Sequence, residues 1–420
     1  MGKMKDSGID WIGDIPQEWN IKKLKFSCKI RNEKYTENKG KLDYFGLENI
    51  VSWNGKYVKS ENIYDLSGAN LCYKNDVVFG KLRPYLAKTF LVDYDRCCSS
   101  EFAIFYDFIG NPKYYLYLFT SQGFVEKVNN STYGTKMPRA NIEFIKNIFI
   151  VIPPIDKQQR IADFLDKKCE EIDNIITRTK ATIEEYKKLK QSIITQAVTK
   201  GIRKNRPMKD SGIQWIGDIP QEWNISKVKY ISAFQPICDT SYLNNESVIT
   251  YTPMEYIKNG YYIENDAIFG NLSSSLTPYM NGDIVIAKVT PCFENGNIAI
   301  MDNLSSNFGL GSSELFVLRP QNINTKFLFY WLQNKKFIDV ACSTMTGTGG
   351  LKRVSPYFMK NSPICITDIA EQQEIVSYLD EKCSEIDKLI QKKEQLLDEL
   401  ENYKKSLIYE YVTGKKEVLS

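Results

Sequence analysis

The chain is written twice, and that repeat limits its architecture more than any other feature. The segment KDSGIDWIGDIPQEWNIKKLK, residues 5–25, returns as KDSGIQWIGDIPQEWNISKVK at 209–229. It changes only at Asp10/Gln214, Lys22/Ser226 and Leu24/Val228. A second pair follows: QQRIADFLDKKCEEID at 158–173 matches QQEIVSYLDEKCSEID at 372–387. Between these anchors the halves diverge, and the second insert is ten residues longer. Self-similarity is read before local propensity, because each copy builds one structural unit. Repeated scaffold around unlike inserts suits two recognition surfaces that read two different things.

The inserts keep faint echoes of each other. NDVVFGKLRP at 75–84 stands against GDIVIAKVTP at 282–291, and SSEFAIFY at 99–106 against SSELFVLRP at 312–320. Short apolar runs at 76–79, 103–106, 283–287 and 315–318 predict strands, and 114–119 and 326–332 predict short helices. Trp11, Trp19, Trp215 and Trp223 in the repeated openings are expected in the core.

Each half closes on a long helix. After Pro153–Pro154, Asp156 with Gln159 three residues on reads as a cap. Leu165, Cys169, Ile172, Ile176, Thr179, Ile183, Tyr186, Lys190, Ile193 and Ala197 then follow 4-3 spacing. The second copy gives Leu379, Cys383, Ile386, Ile390, Lys393, Leu397, Leu400, Lys404, Leu407 and Tyr411. This is a coiled-coil seam interrupted at matched places, Thr179/Lys393 and Lys190/Lys404. Polar seam residues fix register at some cost in stability. Gly201 and Gly414 are expected to end the helices, each about 45 residues or roughly 65 Å long.

Composition bounds the chemistry. With 420 residues there is room for two or three domains. A net charge of +4, from 55 basic and 51 acidic residues, excludes a strongly cationic DNA-coating protein but not a local basic groove. The absence of histidine removes the commonest general base and metal ligand. Ten cysteines in no metal-ligand spacing are expected to be free thiols. No apolar run approaches a membrane span, and the opening residues carry no signal-peptide core, so a cytoplasmic location is expected. The adenine-methylating motif [DN]PP[YF] is missing; NPKY at 111–114 lacks its second proline. GLGSS at 309–313 is too short for a cofactor loop. GTGGLKR at 347–353 lacks the lysine–hydroxyl ending of a P-loop. No acid cluster marks a nuclease.

The repeated GIxWIGDIPQEW opening, the DVVFGKLRPYLAK segment and IPPIDKQQRIADFLDKKCEEID running into a long helix resemble the specificity subunits of type I restriction-modification enzymes, over nearly the whole chain. The resemblance implies an α+β fold. Two mixed α/β target-recognition domains, 1–155 and 204–367, are separated by two long antiparallel helices, 156–203 and 368–420, as a coiled coil with an internal pseudo-twofold repeat. It implies that each domain reads one half of a split, asymmetric site in double-stranded DNA and that the helices set the spacing. Two methyltransferase subunits would dock on this scaffold, and two restriction (translocase-nuclease) subunits would join them. S-adenosylmethionine, ATP and Mg would belong to those partners, leaving this chain non-catalytic and without cofactor or metal. The second copy departs from the first: Thr367–Asp368 stand at the place of Pro153–Pro154, and Thr290 at that of Arg83.

A DNA reader needs base-edge donors and acceptors and phosphate anchors. In the first domain the candidates are Lys81, Arg83, Tyr133, Lys136 and Arg139. In the second they are Lys288, Thr348, Lys352 and Arg353. The pairs Lys136/Arg139 and Lys352/Arg353 stand out, since each lies in a glycine-containing loop ahead of a long helix. Two rival readings are a self-contained methyltransferase or nuclease, which would bind S-adenosylmethionine or carry an acid cluster, and a coiled-coil adaptor joining protein-binding domains, which would show no salt-sensitive affinity for duplex DNA.

Overall fold

The computed structural model describes residues 3–36, 42–59, 66–134, 136–348 and 350–418. The chain divides into two compact units: unit 1, Met1–Lys180 with Glu394–Ser420, and unit 2, Ala181–Lys393.

At the centre of unit 1 lies an antiparallel sheet in the order Lys29–Arg31, Phe102–Tyr106, Val77–Gly80, Thr89–Leu91. Its two inner strands, Phe102–Tyr106 and Val77–Gly80, are apolar on both faces because both faces are covered. Val77, Phe79, Ala103 and Phe105 pack with residues of the helices Pro112–Thr120 and Gln122–Asn129. Val78, Ile104 and Phe102 turn the other way, onto Phe45, Cys72 and Cys98 of a three-stranded sheet. The period of two in side-chain direction is what sorts one run of residues into two cores.

Unit 2 repeats the central sheet in the same order: Ser232–Phe234, Leu315–Pro320, Ile284–Ala287, Ile298–Ile300. Ile284, Ile286, Phe316 and Leu318 face one core, and Val285, Ala287, Leu315 and Val317 the other. The second sheet is where the units part company. In unit 2 it has four strands: Asp266–Ile268, Val248–Thr252, Phe308–Gly311 and Thr277–Met280. GLGSS begins inside it. Gly309 lies under the Tyr279 ring, where a Cβ would come within 2.2 Å of Cε2, so its glycine serves packing.

The expected strands and short helices form with shifts of one or two residues, the helices as Pro112–Thr120 and Thr325–Leu332. NPKY is the start of the first of these. Asn111 caps it through Lys113 N, and Pro112 occupies the first turn, where a missing N–H costs nothing. Trp19 and Trp223 are buried, Trp11 and Trp215 half-buried. All ten cysteines are free, seven of them buried.

The long helices are Ile155–Lys200 and Ile369–Val412, followed by Gly201 and Gly414 at positive φ. Asp156 is not the cap: the first helix already starts at Ile155, which puts Asp156 in its first turn. The second copy does use its aspartate, with Asp368 accepting from Glu371 N at 2.8 Å. A buried glutamine ties each helix start to the neighbouring short helix. Gln158 accepts from Asn111 N and donates to Pro153 O, and Gln372 accepts from Asn324 N and donates to Thr367 O. The helices pack antiparallel. In unit 1, Asp173 pairs with Lys404 and Lys180 with Glu401, so partner numbers fall as the chain rises.

Candidate nucleic-acid interface

In both units the lysine that follows the matched inner strand, Val77–Gly80 or Ile284–Ala287, begins the same construction. In unit 1, Lys81 N donates to Glu101 O, Ala140 N donates to Lys81 O, and Arg83 N donates to Pro138 O. Leu82 and Tyr133 each bridge to Arg139. In unit 2, Lys288 N donates to Glu314 O, Val354 N to Lys288 O, and Thr290 N to Lys352 O. Val289 and Thr346 each bridge to Arg353. The basic loop of each domain is thus fastened to the central sheet by one backbone pattern.

A glutamate completes each fastening. Arg139 donates to Glu101 at 2.5 Å, and Arg353 grips Glu314 with two bonds of 2.8 and 2.9 Å. The Arg353 hydrogen bond holds the Glu314 carboxyl below its ordinary range, and Glu314 raises Arg353 in return. Neither glutamate stood among the sequence candidates. Both end the same echoed Ser–Ser–Glu segment, at 99–101 and 312–314, which flags the two positions as equivalent but names no arginine partner.

This register corrects one expected equivalence. Arg139 and Arg353 occupy the same station, but Lys352 answers to Pro138, so Lys136 and Lys352 are not counterparts. Lys136, Tyr133, Thr348 and Lys352 are exposed. The change from Arg83 to Thr290 also acquires a reason. The Thr290 hydroxyl donates to Gly350 O at 2.8 Å and accepts from Lys352 N at 3.0 Å, so it pins the loop itself. Arg83 pins its loop through the backbone, in a left-handed conformation, and leaves its guanidinium exposed. Lys288 is turned inward, donating to Ser313 O at 2.7 Å.

In unit 1 the construction walls a cleft of 720 Å³. Lys81, Tyr133 and Arg139 line it with Asn32, Lys34 and Asn70, which sequence reasoning missed. Burial lowers the Lys81 ammonium from its usual range, against the pull of Glu101. Carboxamides and cations around a concavity are the donor and acceptor types that base edges and phosphates accept. Among the described residues, no group of Cys, Asp or Glu is placed to hold a metal ion, and no helix is long and apolar enough to cross a membrane.

The family model for the type I restriction modification DNA specificity domain matches residues 16–185 and 220–402. The chain is 32% identical over 203 residues to the specificity subunit of the type I restriction enzyme EcoAI of Escherichia coli, covering 47% of this chain and 34% of that protein. It therefore spans about a third of the length of the EcoAI and EcoEI relatives it matches. The MjaVIII specificity subunit of Methanocaldococcus jannaschii is 27% identical over 319 residues, covering 71% of this chain and 70% of that one. Among solved structures, a chain from work on complex assembly and conformational transition of the type I R-M system superposes with a TM-score of 0.75 at 18% identity. It covers 96% of this chain and 99% of its own. The HsdS subunit from Thermoanaerobacter tengcongensis gives 0.52 at 18% identity, over 96% and 98%. With two matched domains across most of its length, the chain belongs to the family of type I restriction-modification DNA specificity subunits.

Proposed function

We propose that this chain is the non-catalytic reader of a type I restriction-modification complex, with each domain reading one half of a bipartite, asymmetric site in duplex DNA. The observation that carries the reading is the station built twice: Lys81, Glu101 and Arg139 in unit 1, and Lys288, Glu314 and Arg353 in unit 2. Each presents a basic loop within an insert that otherwise differs between the halves. The target-recognition domains are 1–155 and 204–367. The helices 156–203 and 368–420 set the spacer and dock two methyltransferase subunits, with two restriction subunits joining the assembly. S-adenosylmethionine, ATP and Mg act in those partners. Lys81, Arg83, Tyr133, Lys136, Arg139, Lys288, Thr348, Lys352 and Arg353 supply the DNA contacts. The protein works in the cytoplasm, where its DNA substrate lies.

Mapping methylated adenine across the genome with and without this gene tests the reading. A split motif that vanishes with the gene is the expected result. Methyl transfer by the purified chain alone would overturn it.

A further inference from the structure

In unit 2 the first long helix and the short helix Lys335–Ser343 border a groove of 730 Å³. Lys187, Lys188 and Lys200 line it from the long helix, and Lys335 and Lys336 from the short one. All five are exposed, and no acidic residue shares the lining. Glu184 holds Lys187 at 2.9 Å and Asp339 holds Lys335 at 2.7 Å. Among the described residues, Lys188, Lys200 and Lys336 make no ion pair.

The position of two of these lysines runs against helix stability. Lys335 and Lys336 open a nine-residue helix, where the dipole and the unsatisfied N–H groups favour negative charge. The cap, Asn334, is fully buried. Its Oδ1 accepts from Lys336 N and from the Thr195 hydroxyl, and its Nδ2 is buried without a partner. Asn334 itself lies beneath the groove, and the helix start it caps, with two exposed lysines, is suited to an anion.

The repeat supplies the control. Lys326 and Tyr330 on Asp380 in unit 2 copy Lys113 and Tyr117 on Asp166 in unit 1, which fixes the correspondence. At the five lysine positions unit 1 carries Glu401, Asn402, Gly414, Gln122 and Gly123. The one lysine it gains, Lys405 at the place of Gln191, lies over the Trp53 ring, 4.8 Å from its centroid. The cationic groove belongs to one unit only, so it does not serve a role that both halves share.

We infer that this groove holds the phosphate backbone of duplex DNA at unit 2 alone and reads no sequence. Lysines and helix N-termini are the groups that position a protein on phosphates. The inference rests on the proposed DNA-reading function and adds an asymmetry to it: the half-site at unit 2 is held by more sequence-independent affinity.

The test titrates the full chain, in its complex with the methyltransferase subunits, with a random-sequence duplex and with a duplex holding its mapped site, across a sodium chloride series. In the variant Lys188→Gln/Lys200→Gln/Lys336→Gln, the slope of log affinity against log salt falls by roughly 2.7, at about 0.9 per phosphate contact. Both duplexes lose equally and site preference stays. The same three lysines changed to arginine keep the wild-type slope, as does Lys405→Gln. A glutamine variant that binds both duplexes as the wild type does, with site preference intact, overturns the groove and leaves the specificity reading standing. So does one that keeps its DNA slope but no longer assembles with the methyltransferase, which would make the groove a protein dock. A wild type with no preference for its mapped site would sink the specificity reading and this inference together.

Discussion

Lys404 of the second long helix meets Asp173 of the first at 2.7 Å, with only 8% and 11% of the two side chains exposed. The repeat writes the same pair into unit 2 as Lys190 and Asp387, also at 2.7 Å, but there the exposures are 25% and 54%. One sequence device thus yields a buried ion pair in one unit and a wet one in the other. Lys56 adds to the first, reaching Asp173 at 3.0 Å.

Removing the carboxylate should therefore act unequally. Asp173→Ala strands the buried Lys404 ammonium and should cost about 3–5 kcal/mol. Asp387→Ala breaks a screened pair and should cost about 1 kcal/mol or less. Urea unfolding of the two variants, followed by circular dichroism, measures the difference. Equal losses would mean that burial does not set the strength of these pairs.

Glu371 gives a pH signature. Burial acts to raise its carboxyl, but hydrogen bonds from Arg206, Thr367 and Trp223 outweigh that and hold it at about 2. A carboxylate depressed in the folded state stabilises fully above its unfolded value near 4.5, and the gain is lost as pH falls toward 2. Thermal unfolding between pH 5 and pH 2.5 (about the range set by these two values) should show unit 2 losing stability more steeply in the wild type than in Glu371→Gln. At neutral pH the variant should be weaker by about 1.5–3 kcal/mol, because Arg206 loses one of its two carboxylate partners and keeps only the half-exposed Glu222. Parallel pH profiles would remove Glu371 from the account of stability.

The fastened loops predict a difference between neighbouring residues. Arg353→Lys keeps the charge but loses the fork that grips Glu314. It should relax preference at the half-site of the second domain by about 1–3 kcal/mol, as Arg353→Ala does. Lys352→Ala should lower the salt slope by about 0.9 and leave preference unchanged. Competition binding with single-base variants of the site separates the two. An Arg353→Lys protein with full preference would show that loop fastening plays no part in recognition.

Much of this was legible because it was written twice. The seam, the glycine ends and the central strands are local patterns, and repetition separates a pattern from coincidence. What stayed hidden depends on tertiary neighbours. Nothing local marks Glu101 or Glu314 as the partner of an arginine 38 or 39 residues away. Asn32 and Asn70 enter the cleft only because the strand Lys29–Arg31 lies beside Phe102–Tyr106 and residue 70 pairs with Cys98. The Asp156 cap failed because the helix already begins at Ile155, two residues earlier than a cap at Asp156 implies, which leaves Asp156 inside the first turn.

The central claim is that two independent readers share one chain. Exchanging residues 26–152 for the corresponding insert of a relative with a different site, then mapping methylated adenine in cells carrying the chimera, tests it most directly. The account predicts that one half-site changes to that of the donor while the other half and the spacer stay as they were. Both half-sites changing together, or neither, would contradict it.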